Sequence, residues 1–177
     1  VGTAAGLAVL LIGATAFALR QAVIARAEAE RNRATSVFIA DLFKVADPGI
    51  NRGAKLTAND ILGDGLRKID RDFAAQPEQR ASLQATIADV YSAMGDYPRA
   101  RAPLEQAIAT ARQLPAPDPA SLAHSIQQLA WLYSRQGDRK ASLPLFDEAE
   151  QLLSRVDTPQ AREELARVRN RRGFTLL

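Results

Sequence analysis

His124 is the only imidazole in the 177-residue chain, and there is no cysteine beside it. A zinc site needs a second His or Cys at a fixed spacing, so the sequence offers no metal ligand set, and no cofactor is expected. The chain has no Gly-x-x-x-x-Gly-Lys loop, no glycine-rich loop following a strand, no His-Arg-Asp and no Asp-Phe-Gly. Nucleotide phosphates therefore have no cradle, and no catalytic residue is assigned. His124 reads as a surface or groove residue on a helix. The acidic pairs Glu163–Glu164 and Glu148 with Glu150 read as solvated helix faces rather than acid–base machinery. The run 161–177 carries Arg162, Arg167, Arg169, Arg171 and Arg172. A basic helix can neutralise phosphates, but no base-reading motif accompanies this one, and a formal charge of +3 is too small to demand a nucleic-acid partner. The run reads instead as the exposed side of a helix that turns Leu165, Val168 and Gly173 inward.

The elements that would position such residues come from a repeat. Residues 81–112 and 123–154 overlay at a spacing of 42, with Ala81/Ala123, Ala88/Ala130, Tyr91/Tyr133, Ser92/Ser134, Gly95/Gly137, Asp96/Asp138 and Ala107/Ala149 identical. A fixed period of this size marks stacked supersecondary units. Ile87, Val90 and Tyr91 fall on one helix face, as do Leu129, Leu132 and Tyr133 in the second copy. The small Ala88 and Ala130 admit a neighbouring helix. Gly95 and Gly137 stand where a helix must stop and turn. Ala100, Leu104, Ala107, Ile108 and Ala111 make the stripe of a following helix. In the second copy a loop one residue shorter would align Ala141 and Leu145 with Ala100 and Leu104, so two registers one residue apart stay open.

Ala88, Tyr91, Gly95, Tyr97, Ala100 and Ala107 resemble the tetratricopeptide repeat, with Arg139 departing from the pattern in the second copy. The period exceeds the usual length of about 34 residues, the extra length lying in 114–119. HEAT-like hairpins are the structural rival. The resemblance implies that first helices line a concave side and second helices form the back. Asp89, Ser92, Gln127, Trp131 and Arg135 then point towards a groove that takes a protein or peptide. Trp131, the only tryptophan, beside Arg135 has the composition of a binding hot spot. The other reading wedges it between adjacent first helices as packing.

Val1–Leu19 carries no charge and would span roughly 28 Å as a helix, about the thickness of a bilayer core. It reads as a transmembrane helix, with a signal peptide cleaved near Ala14-Thr15-Ala16 as the alternative. A charged juxtamembrane helix follows over 20–34. Val37, Phe38, Leu42 and Phe43 form an apolar face that ends at Asp47-Pro48-Gly49. Thr57 with Asp60 reads as an N-cap ahead of the stripe Leu62, Leu66, Ile69 and Phe73, which Pro77 ends. The run Phe38-Ile39-Ala40-Asp41-Leu42-Phe43, Ala46-Asp47-Pro48, Leu56-Thr57-Ala58, Ile61-Leu62, Gly65 and Ile69 resembles the connector between membrane helix and repeats in bacterial receptor-type serine/threonine protein kinases. Gly63-Asp64-Gly65 departs from that pattern.

The expected fold is all-α: a transmembrane and juxtamembrane helix followed by a solenoid of antiparallel helical hairpins. The expected segments are 1–19, 20–34, connector helices or a degenerate repeat at 35–80, repeats at 81–118 and 119–157, and the first helix of a further repeat at 158–177. Val1 in place of Met, and a helix running to Leu177, predict a piece of a longer protein. The resemblance implies a single-pass protein of the cell membrane, the sensor or scaffold part of a kinase engaged in signalling. Arg20, Arg26, Arg31 and Arg33 alone would favour a cytoplasmic repeat side, and the resemblance implies the opposite. The alternative is a membrane-anchored scaffold, unrelated to a kinase, that acts by self-association, for instance as a homodimer.

Overall fold

The computed structural model describes residues 33, 36–38, 40 and 57–176. The chain divides into two units, residues 1–55 and residues 56–177. In the first, Arg33, Ser36, Val37, Phe38 and Ala40 are helical. Phe38 is buried while its neighbour Val37 is exposed, so the apolar face expected there does not include Val37. The expected segment 1–19, most of 20–34, Leu42, Phe43 and the turn at 47–49 lie outside the described residues. Among the described residues, no helix is long and apolar enough to cross a membrane.

The second unit is built from helices α1 (Ala58–Asp72), α2 (Pro77–Ala93), α3 (Tyr97–Arg112), α4 (Pro119–Arg135), α5 (Arg139–Leu153) and α6 (Pro159–Leu176). No described residue is in a strand. α1 opens on a reciprocal capping box: Thr57 Oγ1 accepts from the Asp60 amide at 3.2 Å, and Asp60 Oδ2 accepts from the Thr57 amide at 2.9 Å. Leu62, Ile69 and Phe73 of its stripe are buried. Pro77 does not end α1, which stops at Asp72; it opens α2. Proline lacks only an amide that the first turn leaves unpaired in any case. Pro98, Pro119 and Pro159 likewise stand at the starts of α3, α4 and α6.

The two glycines of the repeat carry the hairpin turns. Gly95 and Gly137 take φ of +79° and +81°, the left-handed region that a side chain disfavours. In each copy the next amide, Asp96 or Asp138, donates 2.9 Å back to the Tyr91 or Tyr133 carbonyl and closes the first helix. The same aspartates then cap the second helix, accepting from the Arg99 and Ala141 amides at 3.2 and 2.9 Å. Gly-Asp is therefore one device, ending a helix and starting the next.

α2 packs on α3 and α4 on α5 as hairpins. α3 meets α4 and α5 meets α6 between hairpins, and α2, α4 and α6 touch along one layer. Ala88 and Ala130 are fully buried, so the helices approach closely there. The second copy keeps the direct 42-residue register: Ala100, Leu104 and Ala107 correspond to Ser142, Phe146 and Ala149, all essentially inaccessible to solvent. The shorter-loop register, with Ala141 and Leu145 inward, is not the one adopted. Serine fits in place of Ala100 because its hydroxyl donates to the Ala130 carbonyl at 2.7 Å. Val90, expected inward, is 41% exposed.

Candidate partner-binding face

The first-helix layer carries a network of polar side chains. His124, Gln127, Gln128, Trp131 and Arg135 of α4 recur at three- and four-residue spacings, so they stack on one side of the helix. Asp89 of α2 approaches from one flank, and Glu164, Arg167 and Arg171 of α6 from the other. Gln128 Nε2 donates to Asp89 Oδ1 at 2.7 Å, and Arg171 donates to Gln128 Oε1 at 2.8 Å. His124 Nε2 stands 3.3 Å from Asp89 Oδ2, and Nδ1 stands 3.1 Å from Glu164 Oε1. Arg167 pairs with the other Glu164 oxygen at 3.1 Å. With its amide assigned so that nitrogen faces Glu164 and oxygen faces Arg171, Gln127 bonds to both, at 2.7 and 3.2 Å. A continuous network thus crosses three successive first helices.

One end of this network is aromatic. The Arg171 guanidinium lies 5.2 Å from the Trp131 ring centre, and Arg135 lies 5.9 Å from both Trp131 and Tyr97. Thr175 donates to the Arg171 carbonyl at 3.0 Å, so Ser134, 2.7 Å away, is the donor to Thr175. Arg171 is half-buried, and burial above all lowers its pKa, with Glu164 acting in the opposite sense. It is still a cation at neutral pH. Arg135 is exposed, and among the described residues it makes no ion pair with a carboxylate.

The five expected groove residues separate. Trp131 and Arg135 meet, as their spacing predicts. Asp89 is half-buried and tied to α4. Gln127 is 1% exposed and faces α6 rather than an open groove. Ser92 donates to its own helix, at the Ala88 carbonyl, 2.8 Å away. Sequence reasoning missed Gln128, Glu164 and Arg171. For Gln128 the signal was a polar run at helical spacing on a helix that is otherwise core; Glu164 and Arg171 lie on α6, a mostly exposed helix, where polar residues give no such contrast. Glu164 is no solvated face: its side chain is 17% exposed. Glu148 pairs with Arg112 of α3 at 2.7 Å, and Glu150 with Arg169 of α6 at 3.6 Å.

The expected inward set of α6 also changes. Val168 is buried, but Gly173 is exposed, and Ala161 and Thr175 take the inward places. The basic run is largely neutralised within the fold: Arg162 pairs with Asp157, Arg167 with Glu163, Arg169 with Glu150 and Arg172 with Asp147. Asp89 and Glu164 flank opposite nitrogens of His124 and do not converge on one point. Among the described residues, no cluster of His, Cys, Asp and Glu fits a metal ion.

Helical hairpins stacked through a shared first-helix layer define an α-solenoid, the architecture of protein-interaction repeats. Within it, residues 79–155 match the family model of the tetratricopeptide repeat. A tetratricopeptide-repeat region therefore occupies this stretch, and the HEAT alternative falls away. Such regions bind proteins or peptides, which gives the chain a protein partner in general terms. No curated protein matches the chain.

Proposed function

We propose that the chain is a membrane-anchored interaction module whose first-helix face, at Trp131 and Arg135, binds an acidic segment of a protein partner. The observation that supports this is the half-buried Trp131 beside the exposed Arg135, which among the described residues pairs with no carboxylate. An aromatic with a cation at its edge offers apolar area and a charge-assisted hydrogen bond together. Anchoring rests on the uncharged segment Val1–Leu19. The sensor or scaffold role within a bacterial serine/threonine kinase rests on the connector residues Phe38 to Ile69. Asp89 and Ser92 lie on the same helix layer and would border the bound segment.

A peptide display library panned on the full chain tests the face. Selected peptides should be enriched in Asp and Glu and should change the fluorescence of Trp131. Arg135→Glu should weaken them at least tenfold. Selection of neutral peptides, or binding indifferent to Arg135→Glu, would sink the assignment. Carbonate extraction of the expressed chain tests the anchor: the chain should stay in the membrane pellet, and release into the supernatant would reject it.

A further inference from the structure

His124 sits where α2, α4 and α6 meet, and both ring nitrogens face carboxylate oxygens, Asp89 Oδ2 at 3.3 Å and Glu164 Oε1 at 3.1 Å. An ionised carboxylate only accepts, and a neutral imidazole carries a single N–H. A neutral ring therefore satisfies one of these contacts and turns a lone pair on the other. The imidazolium, with two N–H groups, donates to both.

We propose that His124 is a proton-operated clasp of the first-helix layer: charged, it ties α2 and α6 to α4, and neutral, it releases Asp89 and loosens the joint between the two hairpins. The Glu164 contact is the one kept. It is shorter, its carboxylate is less exposed than that of Asp89, at 17% against 36%, and Gln127 and Arg167 hold that carboxylate in place. Among the described residues, Asp89 then keeps the link from Gln128 alone.

The charges acting on the ring are Asp89 from α2 and Glu164 from α6. Arg167 and Arg171 of α6 lie beyond them, the first paired with Glu164 and the second bonded to Gln128. The hydrogen bond to Asp89 is the largest influence and raises the ring's pKa. Burial opposes it, and Glu164 adds to the rise. The folded value thus lies above the ordinary 6.5. The stabilisation is fully present below that ordinary value and is lost as pH rises through the elevated one.

Because His124 is the only histidine, ¹⁵N NMR of the ring in the full chain reads the clasp directly between about pH 5 and 9. The expected result is one transition with its midpoint above 6.5, both nitrogens protonated below it and the proton on Nδ1 above it. Amide-exchange protection in α2 around Asp89, corrected for the intrinsic pH dependence of exchange, should fall several-fold through the same transition. Asp89→Asn and Glu164→Gln should each lower the midpoint, and His124→Gln should leave the corrected protection independent of pH. Should His124→Gln not fold, the carboxylate variants still report through the native ring. A midpoint at or below 6.5, or protection of α2 that stays flat across the transition, overturns the proposal.

Discussion

Trp131 is neither wholly core nor wholly surface. Its ring has one guanidinium from its own helix and one from α6, so truncation removes two cation–π contacts but opens no sealed cavity. Trp131→Ala should destabilise the chain by about 1–2 kcal/mol, the scale of partly desolvated cation–π pairs. Phe146 is fully buried, and Phe146→Ala should cost about 3–5 kcal/mol. Urea unfolding followed by circular dichroism compares the two. A loss for Trp131→Ala equal to that for Phe146→Ala would make the tryptophan a packing residue and remove the basis for a binding face around it.

At the scale of the element, the repeat made the hairpins legible. Gly95/Gly137, Asp96/Asp138 and Ala88/Ala130 are local signals, each tied to a turn, a cap or a close approach within a few residues of itself. Gly137 shows how local: a Cβ built there meets nothing within 4 Å, so only backbone strain opposes a side chain. Gly137→Ala should therefore cost about 1–2 kcal/mol, and Gly137→Asn less, since asparagine visits the left-handed region more readily. Thermal unfolding that ranks alanine equal to glycine would mean that the turn relaxes to another conformation. The polar layer was not legible in the same way. Its bonds join residues 35 to 43 apart in sequence. On a helical wheel, a glutamate facing the next hairpin looks the same as one facing water. Glu164 was misread for that reason. The misreading of Val90 has the converse cause, because an apolar residue at the edge of a stripe has no signal for where its neighbour ends.

At the scale of the whole repeat unit, stability is carried between nearest neighbours, so the last helix matters beyond its own length. α6 buries Ala161, Val168 and Thr175 and is stitched to α5 through Arg169–Glu150 and Arg172–Asp147. It also supplies Glu164 to His124 and Arg171 to Trp131. Removing residues 158–177 should act in three places together. The urea midpoint should fall, because the face of α5 loses its cover. The His124 midpoint should move, because Glu164, which raises it, and part of the burial that lowers it are removed together. The Trp131 emission should shift to longer wavelength as its ring loses Arg171 and gains water. If the urea midpoint held while the histidine and tryptophan signals moved, α6 would be a ligand of the polar layer without being part of the stack. If all three stayed fixed, the coupling across the first-helix layer would be wrong at its root.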